Sequence, residues 1–343
     1  MEKIDIKNLS EVELEDSLIK VGAQSYRTRQ IFGWLYRVGA GSFDDMSDIP
    51  LGLRESLKAK FHISRLVLLD TKRSKIDGTE KYLFKLRDGN TVETVFLPEA
   101  KRRTACLSSQ VGCKYACSFC ASAPLGFIRN LSASEILDQV LFIKVRERAS
   151  PLTNIVFMGI GEPLDNYDNV MKAVRILNDK DAFGIGARRI TISTCGIIPG
   201  IERLKEEDLQ IELSVSLHSA LESIRSRLVP VNKIYPLKDL INACKDYIKK
   251  TNRIITFEYV LIKDVNSSIE DAVRLARLLK GIKCKVNTLI YNQITVKRYK
   301  SPSEQEARAF VKALKKEGYS ATHRQSKGED IDAGCGQLRI SRL

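Results

Sequence analysis

The feature that most restricts the fold of this chain is a regular alternation of short β-type runs and amphipathic helical runs from residue 103 onward. The apolar, β-branched runs lie at 105–108, 154–158, 189–193, 211–216, 256–261 and 286–291. Helical periodicity lies at 133–146, 169–177, 237–250, 269–279 and 303–317. Strands that alternate with helices form a parallel sheet with the helices outside. Six strand–helix units are fewer than the eight of a closed TIM barrel, so an α/β fold with an open, partial β/α barrel is predicted.

The start of the chain predicts a small helical module. Ser10 and Glu13 form a capping-box pattern, which opens a helix that continues to about residue 20. An amphipathic run at 26–36 predicts a second helix.

The next segment changes to the two-residue period of β-strands. The runs 81–86 and 91–97 flank the turn signal Asp88-Gly89, and a second such signal stands at Asp77-Gly78. This pattern predicts a β-hairpin. We therefore divide the chain into three parts, which are a helical accessory domain at 1–62, a connecting β-hairpin region at 63–100 and the partial barrel at 101–343.

The charge and the termini limit the class of protein. Lys and Arg number 56 against 42 Asp and Glu, a net charge of +14, which suits either a polyanion-binding protein or an ordinary basic enzyme. No apolar window of ~18 residues predicts a membrane span. The acidic N-terminus lacks the apolar region of a secretory signal. We expect a cytoplasmic protein without membrane contact and, in the absence of coiled-coil heptads, a monomer.

The strongest chemical signal is a cluster of cysteines. The segment 112–120 reads GCKYACSFC, a C-x3-C-x2-C spacing that contains Cys113, Cys117 and Cys120. The run at 105–108 precedes it and a predicted helix follows it. Three thiolates on one loop can hold three irons of a cubane cluster and leave one iron open, because full protein ligation needs four cysteines. A three-cysteine zinc site is the alternative, and Cys106 as a fourth ligand is another.

The cysteine motif, with an aromatic residue before its last cysteine, resembles that of the radical S-adenosylmethionine (radical SAM) superfamily. Further segments resemble, in order, the adenosine carbon-2 RNA methyltransferases of the RlmN branch. They are VETV at 92–95, SSQVGC at 108–113, MGIGEP at 158–163, SLH at 216–218 and DIDAGCGQL at 330–338. The segment 26–32 resembles the accessory domain of that family. The resemblance covers nearly the whole chain.

This resemblance implies two cofactors. Cys113, Cys117 and Cys120 would bind a 4Fe-4S cluster, and two molecules of S-adenosylmethionine would be used per turnover. The residues that match cofactor-contacting positions of the family are Gly161, Glu162, Ser193, Ser216, Leu217, His218 and Asn292. Considered without the family, a strand-end Ser, His or Asn is more simply a loop cap or a hydrogen-bonded residue.

The resemblance also implies a chemical sequence on side chains of the enzyme. Cys335 would accept a methyl group and, after hydrogen abstraction, add to an adenine ring carbon. Glu93 would remove the ring proton, and Cys106 would release the RNA by forming a disulfide with Cys335. Considered alone, Glu93 predicts an exposed cross-strand glutamate. Cys195, Cys244 and Cys284 lack partner spacing and are expected to be small buried apolar residues.

The implied substrate is one adenosine of 23S rRNA at the peptidyl-transferase centre. Methylation of the adenosine beside the tRNA anticodon is left open, and a reductant such as flavodoxin is implied. Two alternatives remain. One is the sister carbon-8 adenosine methyltransferase of antibiotic resistance, against which Pro163 and the segment 97–99 argue. The other, of a different class, is a non-catalytic zinc-stabilised RNA-binding protein.

Overall fold

The computed structural model describes residues 3–147, 151–294 and 299–338. The N-terminal elements are β1 (Ile4–Asp5), α1 (Glu11–Ile19), α2 (Tyr26–Phe32), α3 (Leu51–Lys60) and β2 (Phe61–His62). The predicted capping box of α1 is confirmed, since the Ser10 hydroxyl accepts from the Glu13 N–H at 3.2 Å and Glu13 Oε2 accepts from the Ser10 N–H at 2.7 Å. The predicted second helix widens after α2 into the π-helical segment Gly33–Val38.

The remaining strands extend over the rest of the chain. They are β3 (Val67–Arg73), β4 (Glu80–Lys85), β5 (Thr91–Pro98), β6 (Arg103–Cys106), β7 (Gln110–Gly112), β8 (Phe127–Asn130), β9 (Asn154–Phe157), β10 (Ile190–Thr194), β11 (Glu212–Ser216), β12 (Ile255–Leu261), β13 (Cys284–Ile290) and β14 (Ser320–Arg324). The predicted hairpin is confirmed as β4 and β5.

One sheet dominates the described part of the chain. Its order is β14-β13-β12-β11-β10-β9-β6-β5-β4-β3, and it stays open at both edges. The strands from β6 to β14 in this sheet pair in parallel, whereas β3, β4 and β5 are antiparallel. The predicted open barrel of six strand–helix units is therefore confirmed, because β6, β9, β10, β11, β12 and β13 are each followed by a helix. The described residues add a seventh parallel strand, polar β14, whose sequence, SATHR, lacks the apolar run used to find the others.

Helices follow the parallel strands. They are α4 (Ala133–Arg146), α5 (Tyr167–Asn178), α6 (Ile198–Leu204), α7 (Glu222–Leu228), α8 (Leu237–Thr251), α9 (Ile269–Leu278) and α10 (Glu304–Lys316). The five predicted helices are confirmed to within two residues, and the short α6 and α7 were not predicted. Among the described residues, no helix has the length and apolar character needed to span a bilayer.

The two faces of the sheet differ in chemistry. Ile190 and Ile192 of β10 are buried in the core, while Thr191 and Ser193 between them are only partly buried. Because side chains alternate across a strand, one face of the sheet packs on the helices and the other is free to carry polar groups. The strand register aligns Ser193 with Ser214 of β11, which places their side chains on the same, polar face. This polar face explains why the strands are not continuous apolar runs.

The hairpin region continues the barrel sheet. β5 pairs with β6 across the boundary drawn at residues 100 and 101, with Val95 opposite Cys106. The helical part and the sheet also share one hydrophobic core, to which Leu35 and Ile136 both belong. The three-part division of the chain stays a prediction.

Candidate active site

A pocket opens on the polar side of the sheet at the carboxyl ends of the parallel strands. It encloses about 1120 Å³ of space outside the protein atoms, part of which is open to solvent. Parallel α/β folds place ligands at this end. The pocket lining includes most of the predicted site residues, namely Cys113, Cys117, Cys120, Gly161, Glu162, Ser193, Ser216, His218 and Cys335. Four predicted residues, Leu217, Asn292, Cys106 and Glu93, are not part of this lining.

The cysteine loop lies between two short strands. β7 and β8 pair on either side of it, and the predicted helix, α4, begins shortly after β8. The Cys113 N–H donates to the carbonyl of Gly126 at 2.9 Å and the Cys120 N–H to that of Cys117 at 3.0 Å. Ala116 adopts a left-handed conformation, φ +49°, which folds the loop back on itself. The three thiols thereby reach one wall of the pocket.

The chemistry of these three thiols fits an iron–sulfur cluster. Burial raises the pKa of Cys113 to about 12 and also raises the pKa of Cys117 and Cys120, so a positively charged centre is needed to hold them as thiolates. A cubane cluster takes one thiolate on each of three irons and leaves its fourth iron without a protein ligand. Three cysteines of one loop, all lining the same pocket, supply that set of donors.

Glu162 sits beside the cysteines as a buried carboxylate. Its Oε2 accepts from the Cys195 N–H at 2.7 Å and its Oε1 from the Leu164 N–H at 3.0 Å, yet burial still raises its pKa. Before it, Gly161 has φ +101°, and a Cβ there would lie 2.5 Å from the Cβ of Gln110. Glycine is therefore required at position 161, because the backbone passes close to Gln110 before it places Glu162 in the pocket. A carboxylate held in this way can accept from the ammonium group of an amino acid ligand.

The carboxyl end of β11 carries three of the predicted residues, which differ in orientation. They are Ser216, the last residue of the strand, and Leu217 and His218 after it. Ser216 and His218 line the pocket, whereas Leu217 is fully buried in the core. The backbone N–H of Val260 donates to His218 Nδ1 at 3.0 Å, and the ring packs edge-on against Phe119 with centroids 4.7 Å apart. Burial, aided by Arg225, lowers the pKa of His218 to about 3, so the imidazole is neutral and its proton lies on Nε2.

The segment 328–338, which carries Cys335 and is called the Cys335 segment below, is hydrogen-bonded to the end of the cysteine loop. The Ala121 N–H donates to the Gly336 carbonyl at 2.7 Å, and the Ser122 hydroxyl donates to the Leu338 carbonyl at 2.7 Å. Cys335 itself is an exposed residue, although the pocket walls surround its thiol closely enough that burial raises its pKa. These contacts set the Cys335 thiol in the same pocket as the three cysteines.

Asn292 supports the Cys335 segment instead of lining the pocket. Its Nδ2 donates to the Cys335 carbonyl at 3.1 Å, and its Oδ1 accepts from the Ser326 hydroxyl at 2.6 Å. A Cβ on Gly334 would lie 2.6 Å from the same Nδ2, so the backbone passes Asn292 in close contact.

Strand register brings Cys106 and Glu93 to the polar face. Cys106 lies opposite Val95, and Glu93, two residues from Val95 on β5, shares its face. Burial, together with the charge of the Cys335 thiolate, raises the pKa of Cys106 to about 12. Glu93 is only 5% exposed, so the interpretation of an exposed cross-strand glutamate is wrong.

The pocket also includes residues that the sequence did not single out. Cys195 lines it and donates its N–H to Glu162, so the expectation of a buried core cysteine is wrong. Cys244, in contrast, is fully buried as expected, and Cys284 is half-buried. Glu258 and Arg324 also line the pocket, with Arg324 Nη1 3.7 Å from Glu258 Oε2. The sequence signal that could have found Glu258 is the alternation of large apolar residues along β12, which leaves Glu258 on the opposite face from the core.

Two family models match the chain. The model of the radical SAM superfamily matches residues 107–276, and the model described as the ribosomal RNA large subunit methyltransferase N-terminal domain matches residues 4–63. The second match spans the helical N-terminal elements, and the first begins just after β6.

Relatives match over nearly the full length. The chain is 44% identical over 339 residues to the probable dual-specificity RNA methyltransferase RlmN of Thermoanaerobacter sp. (strain X514), with 99% of this chain and 98% of that protein covered. The protein of the same name from Staphylococcus aureus (strain JH9) is 44% identical over 340 residues, with 98% and 93% covered. A solved radical SAM methyltransferase from Sphaerobacter thermophilus superposes with a TM-score of 0.93 at 43% identity, with 98% and 99% covered.

Proposed function

This chain belongs to the RlmN family of radical SAM enzymes, and from this membership we propose that it methylates carbon 2 of one adenosine in 23S rRNA. We extend the proposal to the adenosine beside the anticodon of tRNA, because the relatives are named as dual-specificity RNA methyltransferases. The observation that carries the proposal is the placement of the Cys335 thiol in one pocket with the three cysteines of the loop.

The family brings a 4Fe-4S cluster and S-adenosylmethionine, which Cys113, Cys117 and Cys120 and the Gly161-Glu162 turn would hold. When bound, these groups supply a methyl group and a radical able to abstract hydrogen. The protein's own task is to keep the reacting atoms together and out of water, which the buried Glu162 and the neutral His218 favour.

Three side chains would perform the remaining steps. The Cys335 sulfur carries the methyl carbon that becomes bonded to the adenine ring, because the ring carbon is electron-poor and is no nucleophile for ordinary methyl transfer. Glu93 accepts the proton that leaves that ring carbon. The Cys106 thiolate then bonds to the Cys335 sulfur and displaces the methylene carbon, which keeps the electron pair of the broken C–S bond and takes up a proton to become the methyl group, so that a Cys106–Cys335 disulfide remains. The raised pKa of Cys106 means that it needs a base before it can attack as a thiolate.

We assign RNA binding in part to the helical module at 1–62. Tyr26 is 49% exposed there, and the Arg27 guanidinium lies over its ring, 4.7 Å from the centroid. An exposed aromatic ring beside a cation suits stacking on an unpaired base with a phosphate nearby. We also retain a flavodoxin-like reductant and a monomeric enzyme as parts of the proposal.

The test is mass spectrometry of anaerobically reconstituted protein with S-adenosylmethionine, a reductant and either a 23S rRNA fragment or a tRNA. Wild type is compared with Cys106→Ala and with the matched control Cys244→Ala, a buried cysteine outside the pocket lining. We expect Cys106→Ala to retain RNA covalently on Cys335, because the resolving thiol is missing. The control should release methylated RNA as wild type does.

The nucleoside product decides the position of the methyl group. We expect 2-methyladenosine in the digested RNA, whereas 8-methyladenosine would move the enzyme to the sister activity. A protein that binds zinc and no iron, or that binds iron but never carries a methyl group on Cys335, would overturn the methyltransferase proposal.

A further inference from the structure

A buried ion pair lies between the hairpin and the Cys335 segment. Lys81 Nζ is 3.2 Å from Glu93 Oε1, and the two side chains are only 7% and 6% exposed. The same ammonium group donates to the Asp332 carbonyl at 3.0 Å, across 251 residues of sequence. We propose that Lys81 is a positioning residue that holds the Glu93 carboxylate and ties it to the segment that carries Cys335. This inference rests on the proposed function of Glu93 and Cys335.

The strand register explains how Lys81 reaches both partners. Lys81 of β4 lies directly opposite Val95 of β5, and Val95 lies opposite Cys106 of β6. The three side chains therefore share one face of the sheet, and Glu93 is the diagonal neighbour of Lys81 on that face. Removing an ammonium group from water is costly unless it meets charged or polar partners. One partner is the proposed proton acceptor Glu93, and the other is a carbonyl three residues before Cys335.

Two other contacts fasten the same segment but do not involve Glu93. The Gly328 N–H donates to Asp77 Oδ2 at 3.0 Å, and the Lys75 N–H donates to Asp330 Oδ2 at 3.0 Å. Asp332 itself adopts a left-handed conformation, φ +52°, in which its carbonyl meets the Lys81 ammonium. The turn between β3 and β4 thus anchors residues 328–332, and Lys81 connects that anchor to Glu93.

The ion pair has a specific chemical consequence. A positive charge beside a carboxylate favours its ionised form, which is the form that accepts a proton. Contact with Asp332 fixes the ammonium group, and the ammonium group in turn fixes one carboxylate oxygen. Lys81 should therefore affect the removal of the ring proton and leave the earlier methylation of Cys335 largely unaffected.

The experiment resolves these steps by mass spectrometry of the full chain, reconstituted anaerobically. Lys81→Met removes both contacts, Lys81→Gln keeps a donor for Asp332 but removes the charge, and Lys81→Arg keeps the charge. Asp330→Ala is the matched control, because it removes the acceptor of the Lys75 N–H and loosens the same segment without touching Glu93. For each variant, three quantities are measured, which are methyl groups on Cys335 without RNA, methylated RNA released, and RNA bound covalently to Cys335.

We expect Lys81→Met and Lys81→Gln to methylate Cys335 nearly as wild type does, but to release about tenfold less methylated RNA, or lower still. Covalent RNA adduct should accumulate, because the ring proton stays in place. Lys81→Arg should recover a substantial part of the release, and Asp330→Ala should accumulate no adduct.

Three results would overturn the inference. In the first, both neutral variants release RNA within about twofold of wild type. In the second, Cys335 methylation falls as much as RNA release does, and in the third, Lys81→Arg fails as completely as Lys81→Met. Either of the last two would make Lys81 a purely structural residue. Failure of the proposed function is distinguishable, because in that case wild type itself carries no methyl group on Cys335.

Discussion

At the scale of single residues, the site depends on backbone conformations that side chains rarely adopt. His218 has φ +59°, a left-handed conformation uncommon for residues other than glycine. The conformation is held because Nδ1 accepts from the Val260 N–H and the Asn266 side chain donates to the His218 carbonyl at 2.7 Å. Strain of this kind persists only where the surroundings determine it, and it is concentrated at functional sites.

The neutral state of His218 predicts a pH dependence of stability. Its pKa is about 3 in the folded chain, below the ordinary value of 6.5, so the unfolded chain takes up a proton first as the pH falls. The free energy of unfolding should therefore decrease by ~2 kcal/mol between pH 7 and pH 5 through this residue. His218→Asn should remove that part of the slope in urea unfolding of the iron-free, reduced chain.

Ile262→Val serves as the control for His218→Asn, because it alters a buried neighbour without a titrating group. It should lower stability by the same amount at each pH. A His218→Asn variant whose pH slope equals that of wild type would show that His218 is protonated in the folded chain.

At the scale of elements, a side chain of α4 is hydrogen-bonded to β5 and to the residues that follow β6. The buried side chain of Gln139 accepts from the Thr94 hydroxyl at 2.7 Å and from the Ser108 N–H at 2.9 Å, and its Nε2 donates to the Ser108 carbonyl at 3.0 Å. Ser108 in turn donates its hydroxyl to the Glu93 carbonyl at 2.6 Å. The Gln139 amide therefore fixes the distance between β5 and the residues that follow β6.

We expect Gln139→Leu to lower the free energy of unfolding by about 2–4 kcal/mol, because it leaves several buried polar groups without partners. The free energy of unfolding is measured by urea titration with circular dichroism as the readout. Gln305→Leu makes the same substitution on the exposed face of α10 and should change stability by less than about 0.5 kcal/mol. Equal effects of the two substitutions would contradict the supporting role of Gln139.

At the scale of the whole molecule, a buried ion pair joins the N-terminal module to the barrel. The Lys7 ammonium contacts Asp138 of α4, and the two side chains are 2% and 5% exposed. The Ser64 hydroxyl donates to the other Asp138 oxygen at 3.1 Å, and the Ser64 carbonyl accepts from Lys7. The Lys7 and Asp138 charges that attach the N-terminal module to the barrel are therefore shielded from water.

Breaking this pair from one side should be more harmful than removing both partners. Lys7→Met is expected to cost about 3–5 kcal/mol, because it leaves the Asp138 carboxylate buried without its cation. The double variant Lys7→Met/Asp138→Leu should recover a large part of that loss, as measured by the free energies of unfolding in a double-mutant cycle. A double variant as unstable as the sum of both single variants would show that the pair is not coupled.

Much of the fold follows from patterns that are local in the chain. The helix α4 was predicted with its observed bounds, because its apolar positions repeat with the helical period and Ser132 and Glu135 form a capping box. β14 was missed because a polar edge strand carries no apolar alternation to detect, whereas β3 was indicated only by the turn signal Asp77-Gly78 that follows it. The short α6 and α7 contain fewer than two helical turns of pattern, which is too little for a periodicity argument.

The sequence by itself determined the alternation of strands and helices and the spacing of Cys113, Cys117 and Cys120, because both depend only on neighbours along the chain. Only the tertiary structure decided that Glu93 is buried, that Lys81 meets Asp332 and that Cys195 and Glu258 enter the pocket. Those contacts depend on strand register and on the packing of the Cys335 segment against residues that are distant in sequence. Lys81 and Asp332, for example, are 251 residues apart. No local period records such contacts, since the free energy that selects them comes from burial and hydrogen bonding between distant segments.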